Sequence, residues 1–114
     1  MVTEQEHDAA TERGQQMLRD LPRATAVHFE PANRQITIAL NRGFSIAFSP
    51  ERSQDLANAT PEQLGEVEIS HPGFSIYFPR LDADLWVPSL VQGRFGNDHW
   101  ESEWAAAHQH PNAA

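Results

Sequence analysis

Residues 35–48 read Gln35-Ile36-Thr37-Ile38-Ala39-Leu40-Asn41-Arg42-Gly43-Phe44-Ser45-Ile46-Ala47-Phe48, and their pattern decides the fold class. Ile36, Ile38 and Leu40 alternate with Thr37 and Ala39; after the turn residues Asn41-Arg42-Gly43, Phe44, Ile46 and Phe48 alternate with Ser45 and Ala47. A period of two, with β-branched and aromatic residues on the apolar phase, marks strands that bury one face. Upstream, Val27 and Phe29 flank His28, and Pro31-Ala32-Asn33 supply another turn. An antiparallel meander is therefore predicted from Ala24 onward.

The second half repeats the plan. Val67 and Ile69 predict a fourth strand, His71-Pro72-Gly73 a turn, and Phe74, Ile76 and Phe78 a fifth strand. Gly43–Phe48 and Gly73–Phe78 share the pattern Gly-Phe-Ser-Ile-x-Phe. Between the groups, Ser49-Pro50 and Thr60-Pro61 each place a hydroxyl before a proline at the first helical position, and Gln63 completes a capping box with Thr60. Two short helices are expected, around residues 51–57 and 61–64. From Leu81 to Val91 the chain suits a short strand or helix that closes the core before Gly93, with Trp86 packed inside.

At the amino terminus Thr3 and Glu6 have the form of a capping box, Ala10, Gly14, Met17, Leu18 and Leu21 follow at helical spacing, and Pro22 stops the helix. Its thin apolar stripe is expected to cover the domain's own sheet, the alternative being an arm that faces a partner. Asp98 with Glu101 is read as the cap of a last helix that carries Trp100, Trp104 and Ala107 or His108 on one side, with fraying from Gln109. The expected fold is α+β: a small antiparallel sheet of about five strands, short helices on one face, and an added N-terminal helix. The segments are an N-terminal helical extension (1–22), a core (23–96) and a C-terminal tail (97–114).

Composition narrows the function classes. The 114 residues carry a formal charge of −8, which repels phosphate backbones and makes direct nucleic-acid binding unfavourable. There is no cysteine, which excludes disulfides, thiolate metal sites and cysteine nucleophiles. No apolar run reaches the length of a membrane span, and the acidic amino terminus has neither the basic nor the apolar region of a secretory signal, so the cytoplasm is the expected compartment. All eight basic residues are Arg, a residue suited to bidentate contact with carboxylates, although a GC-rich genome produces the same bias.

Chemical motifs are weak. Asp82 and Asp84 have the spacing of a hard-cation chelate that Glu66 and Glu68 would complete; the plainer reading has Asp84 capping a helical turn and Asp82 paired with Arg80 or a neighbouring Arg. His99, His108 and His110 are imidazoles suited to a transition metal, in a tail that must first become ordered. Ser45, Ser70, Ser75 and Ser89 lie in no nucleophile-elbow pattern, and no glycine-rich phosphate loop exists. No catalytic residue and no cofactor are assigned. Trp86, Trp100, Trp104 and Tyr77 are more large amphipathic aromatics than a core of ~70 residues readily encloses, and Trp, Tyr and Arg dominate interface hot spots.

From Ala24 to Phe95 the sequence resembles the bacterial family catalogued as domain of unknown function 2442. The carrying features are Ala59-Thr60-Pro61-Glu62-Gln63-Leu64, Glu66 to Ile69, Gly73, Ile76-Tyr77-Phe78-Pro79-Arg80-Leu81-Asp82-Ala83-Asp84-Leu85 and Leu90-Val91-x-Gly93. The resemblance implies a small α+β fold, no known enzymatic activity and frequent occurrence beside small toxin-like genes; some relatives add a helix-turn-helix domain, for which the residues beyond Phe95 are too few.

Charge and resemblance together give the expected function: a non-enzymatic protein-binding module, antitoxin-like or accessory, that engages a basic partner through Tyr77, Arg80, Asp82, Asp84, Trp100 and Trp104. The rivals are a DNA-associated regulator, which clustering of Arg13, Arg19, Arg23 and Arg42 would favour, a phage or plasmid inhibitor of a host defence complex, and a small metal-dependent enzyme or sensor. Exposed sheet edges make a homodimer a further expectation.

Overall fold

The computed structural model describes residues 4–108. Helix α1 (Glu4–Asp20) precedes strands β1 (Ala24–Glu30), β2 (Gln35–Leu40) and β3 (Ser45–Phe48). A 3-10 turn at Pro50–Arg52 and helix α2 (Pro61–Gly65) lead to β4 (Glu68–Ser70), β5 (Ser75–Phe78) and β6 (Ala83–Trp86), followed by α3 (Val87–Val91) and α4 (Asp98–His108). The class is α+β as expected, but the strands among the described residues number six and form two three-stranded antiparallel sheets, ordered β1-β2-β3 and β4-β5-β6. The sixth strand arises because Ala83 and Leu85 alternate with Asp84 and Trp86, so the segment left open between strand and helix is strand first and helix second.

One core joins the two sheets. Phe29, Ile36, Ile38, Leu40 and Phe48 come from the first, Ile76, Phe78 and Leu85 from the second, and Leu56, Leu64, Val87 and Leu90 from the connecting and helical segments. The sheets meet where the β4–β5 turn abuts β1: the Ala24 amide donates to the Gly73 carbonyl at 2.7 Å. Gly73 has φ +118, and a Cβ there would stand 2.6 Å from the Ala24 oxygen, so both the conformation and the close approach require glycine.

The helix ends follow local chemistry with two corrections. The Thr60–Gln63 capping box forms reciprocally, through Gln63 N to Thr60 Oγ1 at 3.3 Å and Thr60 N to Gln63 Oε1 at 3.0 Å. Ser49 makes no cap; its hydroxyl donates to Glu51, which also binds Arg34, and only the 3-10 turn develops where a longer helix was expected. At α4 the cap is Asn97, whose Oδ1 accepts from Trp100 N at 2.8 Å, while Asp98 pairs with Arg94 at 2.6 Å.

Helix α1 does not cover the sheet. It is exposed from Ala10 to Asp20, with Met17 and Leu18 among the exposed large apolar residues. It is held at its foot, where Arg42 Nη2 donates to the Arg19 carbonyl at 3.2 Å and Asn41 Oδ1 accepts from the Arg23 amide at 2.9 Å. Thr3 of the expected capping box lies outside the described residues.

Candidate functional site

Alternation along β4, β5 and β6 sends Ile69, Ile76 and Leu85 toward the core. The register places Glu68 opposite Tyr77 and Tyr77 opposite Asp84 in one row, and Ser70 opposite Ser75 and Ser75 opposite Trp86 in the next. The outer face of the second sheet is thus acidic along one row and aromatic at the end of the other. Trp86, expected inside, is 42% exposed because it takes the outward phase of β6; its ring rests on Phe74 with centroids 5.5 Å apart.

The β5–β6 turn extends this acidic surface. Asp82 adopts φ +48, a left-handed conformation that Asp tolerates better than most residues, and its Oδ1 accepts from the Tyr77 hydroxyl at 2.9 Å. That hydrogen bond, foremost, and the nearby Glu68 and Asp84 charges push the Tyr77 phenol above its ordinary value, because ionisation would add a negative charge to a negative surface. Arg80 does not pair with Asp82. It faces Glu66 at 3.7 Å, an exposed pair of small energetic weight.

The first sheet offers a different outer surface. Its outward positions are Thr37, Ala39, Ser45 and Ala47, with His28 of β1 opposite Thr37. His28 is exposed and pairs with Glu30, at 3.4 Å, within its own strand.

Trp100 and Trp104 belong to another arrangement. Trp100 Nε1 donates to the Arg52 carbonyl at 2.9 Å, and the Arg52 guanidinium lies 4.8 Å from the Phe95 ring centroid and 5.0 Å from that of Trp104. The same guanidinium pairs with Glu101, whose carboxylate also accepts from the Phe95 amide at 3.0 Å. The Arg52 hydrogen bond, first among the causes, holds the Glu101 carboxyl below the ordinary carboxylate range. Both tryptophans thus staple α4 to the 3-10 turn, so the residues singled out from the sequence divide: Tyr77, Asp82 and Asp84 come together on the second sheet, Arg80 sits beside Glu66, and Trp100 and Trp104 secure a helix.

The imidazoles are engaged locally. His99 pairs with Glu103 at 3.0 Å, His108 stacks on Trp104 at 3.7 Å between centroids, and His110 lies outside the described residues. Among the described residues no three His, Asp or Glu side chains gather to hold a metal ion; Asp82 is engaged by Tyr77 and Glu66 faces Arg80. No described helix is long and apolar enough to cross a membrane.

Beside β6 lies a hollow of about 160 Å³, lined by Asp55, Asp84, Trp86, Ser89 and Arg94 among others. Sequence reading missed Trp86 and Asp55 here. The alternation Ala83-Asp84-Leu85-Trp86 was the available signal for Trp86; Asp55 reaches the hollow only through tertiary folding.

A family model described as protein of unknown function (DUF2442) matches residues 24–96. A crystal structure of a protein of unknown function from Rhodospirillum rubrum is similar at 33% identity and a TM-score of 0.67, over 71% of this chain and 98% of that one. The solution structure of an uncharacterized protein from Chromobacterium violaceum is similar at 32% identity and a TM-score of 0.67, over 100% of this chain and 99% of that one. No curated protein matches the chain.

Proposed function

This chain belongs to the family described as protein of unknown function (DUF2442), and from the geometry of its second sheet we propose that it is a non-enzymatic module that binds a basic protein. The observation that carries the reading is the row Glu68, Tyr77 and Asp84, with Asp82 beside it and Trp86 exposed at the end of the adjoining row. Carboxylates on that face steer a cationic partner, and the aromatic rings give it apolar surface to bury. The partner class that fits is antitoxin-like in logic: a small protein whose basic surface otherwise binds a polyanion, for which the acidic sheet competes. The module's location is the cytoplasm, in keeping with such a partner.

The test is a tagged pull-down from the native host, run in parallel with a Glu68→Gln/Asp84→Asn variant and washed at low and then high salt. A stoichiometric basic protein, released by salt and lost with the variant, is the expected result. No such companion, or equal capture by both forms, overturns the reading.

A second reading rests on one observation. Arg42 reaches the Arg19 carbonyl while Asn41 holds the Arg23 amide, which brings Arg42 to the backbone of Arg19 and Asn41 to that of Arg23 at the foot of α1. Three arginines drawn to one end of α1 favour a nucleic-acid-associated role, and a mobility shift that weakens steeply with salt and disappears in an Arg19→Ala/Arg42→Ala variant would establish it.

A further inference from the structure

We propose that the open edge of β6 receives an extended segment of the basic partner as an added strand, with one of its arginine side chains seated between Asp55 and Asp84. The inference rests on the protein-binding reading above and specifies how the partner engages.

The ladder fixes which backbone groups are free. The Val87 amide donates to the Phe74 carbonyl at 2.7 Å, so Phe74 and Val87 form a hydrogen-bonded pair. Antiparallel pairs alternate, and in the observed register Ile76–Leu85 and Phe78–Ala83 are then bonded pairs, whereas Ser75–Trp86 and Tyr77–Asp84 are not. The backbone N–H and C=O of Asp84 and the N–H of Trp86 therefore point away from β5. Because β6 ends the order β4-β5-β6, they point off the edge of the sheet. That is the presentation an incoming strand requires.

The side chains around this edge select the occupant. Asp84 and Asp55 line the hollow beside it, and Arg94, the one cation lining it among the described residues, pairs with Asp98 at 2.6 Å. Trp86, 42% exposed and backed by Phe74, offers a ring face to an aliphatic stem or a guanidinium. Arginine suits the hollow better than lysine, because its planar fork can bridge two carboxylates and lie on an indole. A second copy of this chain does not suit it: pairing of two β6 edges would bring Asp84 near its counterpart in a protein whose net charge is −8.

The edge of β3 in the first sheet is the internal contrast. It is flanked by Ser45 and Ala47, with no carboxylate on either, and gives no reason to prefer a basic strand.

The experiment is an NMR titration of the full ¹⁵N-labelled chain with a blocked peptide of alternating threonine and arginine, alongside the same peptide N-methylated at alternate residues. Shift changes centred on Asp84 and Trp86, slowed hydrogen exchange at those two amides, loss of binding on N-methylation and at least tenfold weaker binding to an Asp55→Asn/Asp84→Asn variant are expected. Equal binding of the N-methylated peptide, or shifts confined to Glu68, Tyr77 and Asp82, overturns strand addition while leaving the protein-binding reading intact. No binding of either peptide also overturns it, and the pull-down then judges the broader reading separately.

Discussion

The two sheets share a plan and a six-residue pattern, and they use both differently. Gly43–Phe48 leads into and forms β3, at the edge of the first sheet, whereas Gly73–Phe78 leads into and forms β5, at the centre of the second. Ile76 and Phe78 are fully buried; Ile46 is half-buried and Phe44 is 51% exposed. The pattern determines that a strand forms and which phase faces inward, while position in the sheet determines how much each residue contributes. Outside, the position of Ala47 in one repeat is that of Tyr77 in the other, and a neutral face becomes an aromatic, acidic one.

Core truncation tests that contrast most severely. Phe78→Ala is expected to cost about 3–5 kcal/mol in urea denaturation, and Phe48→Ala, which borders the edge and packs on Phe95 at 5.0 Å between centroids, about 1 kcal/mol less. Equal losses would erase the distinction between edge and centre.

The paired glycines come next. Gly43→Ala, at φ +80 with open space around it, should cost about 1–2 kcal/mol from left-handed strain alone. At Gly73 the same change adds a collision with the Ala24 carbonyl, for a total of about 2–4 kcal/mol. A smaller loss at Gly73 than at Gly43 would show that the junction between the sheets yields more readily than its geometry implies.

Acid should separate α4 from both sheets. Glu101, hydrogen-bonded to Arg52, has a folded-state pKa below its ordinary 4.5. Its contribution is fully present above that ordinary value and is lost as the pH falls through the lower folded value. Tryptophan fluorescence from Trp100 and Trp104 should change in that acid window, and Glu101→Gln should abolish this transition while leaving the sheets' circular dichroism in place. The smallest effect concerns the outer faces: in an absorbance titration, the phenol introduced by Ala47→Tyr should ionise at lower pH than Tyr77, and Asp82→Asn should bring Tyr77 down toward it.

The strand phases were legible because burial on one face imposes a period of two directly on the sequence, as at Ile36, Ile38 and Leu40. The Thr60–Gln63 cap was legible for a similar reason, since both its hydrogen bonds close within four residues. The division into two sheets was not, because it depends on how the β4–β5 turn meets Ala24, nearly fifty positions earlier in the chain. The same holds for Arg52, whose partners Trp100 and Glu101 lie 48 and 49 positions away. Of the candidate site, Tyr77, Asp82 and Asp84 could be grouped from the sequence because one tight turn joins their strands. Trp86 belongs with them by the alternation Ala83-Asp84-Leu85-Trp86, but that four-residue signal is too short to choose between strand and helix over Leu81 to Val91, and a tryptophan among Leu85, Val87 and Leu90 reads as core. Asp98 is the first residue of α4 and pairs with Arg94, four positions earlier in the preceding loop, while Asn97 takes the capping role.

The exposure of α1 has a thermodynamic consequence. A helix of 17 residues is close to the length at which an isolated peptide is only marginally helical in water, and Gly14 in its interior costs about 1 kcal/mol relative to alanine. With Met17 and Leu18 facing solvent, little tertiary packing adds to its stability. Its coil-to-helix equilibrium is therefore linked to whatever touches it: a ligand that recognises the helical form raises the helical population by mass action, and far-ultraviolet ellipticity becomes a direct readout of occupancy.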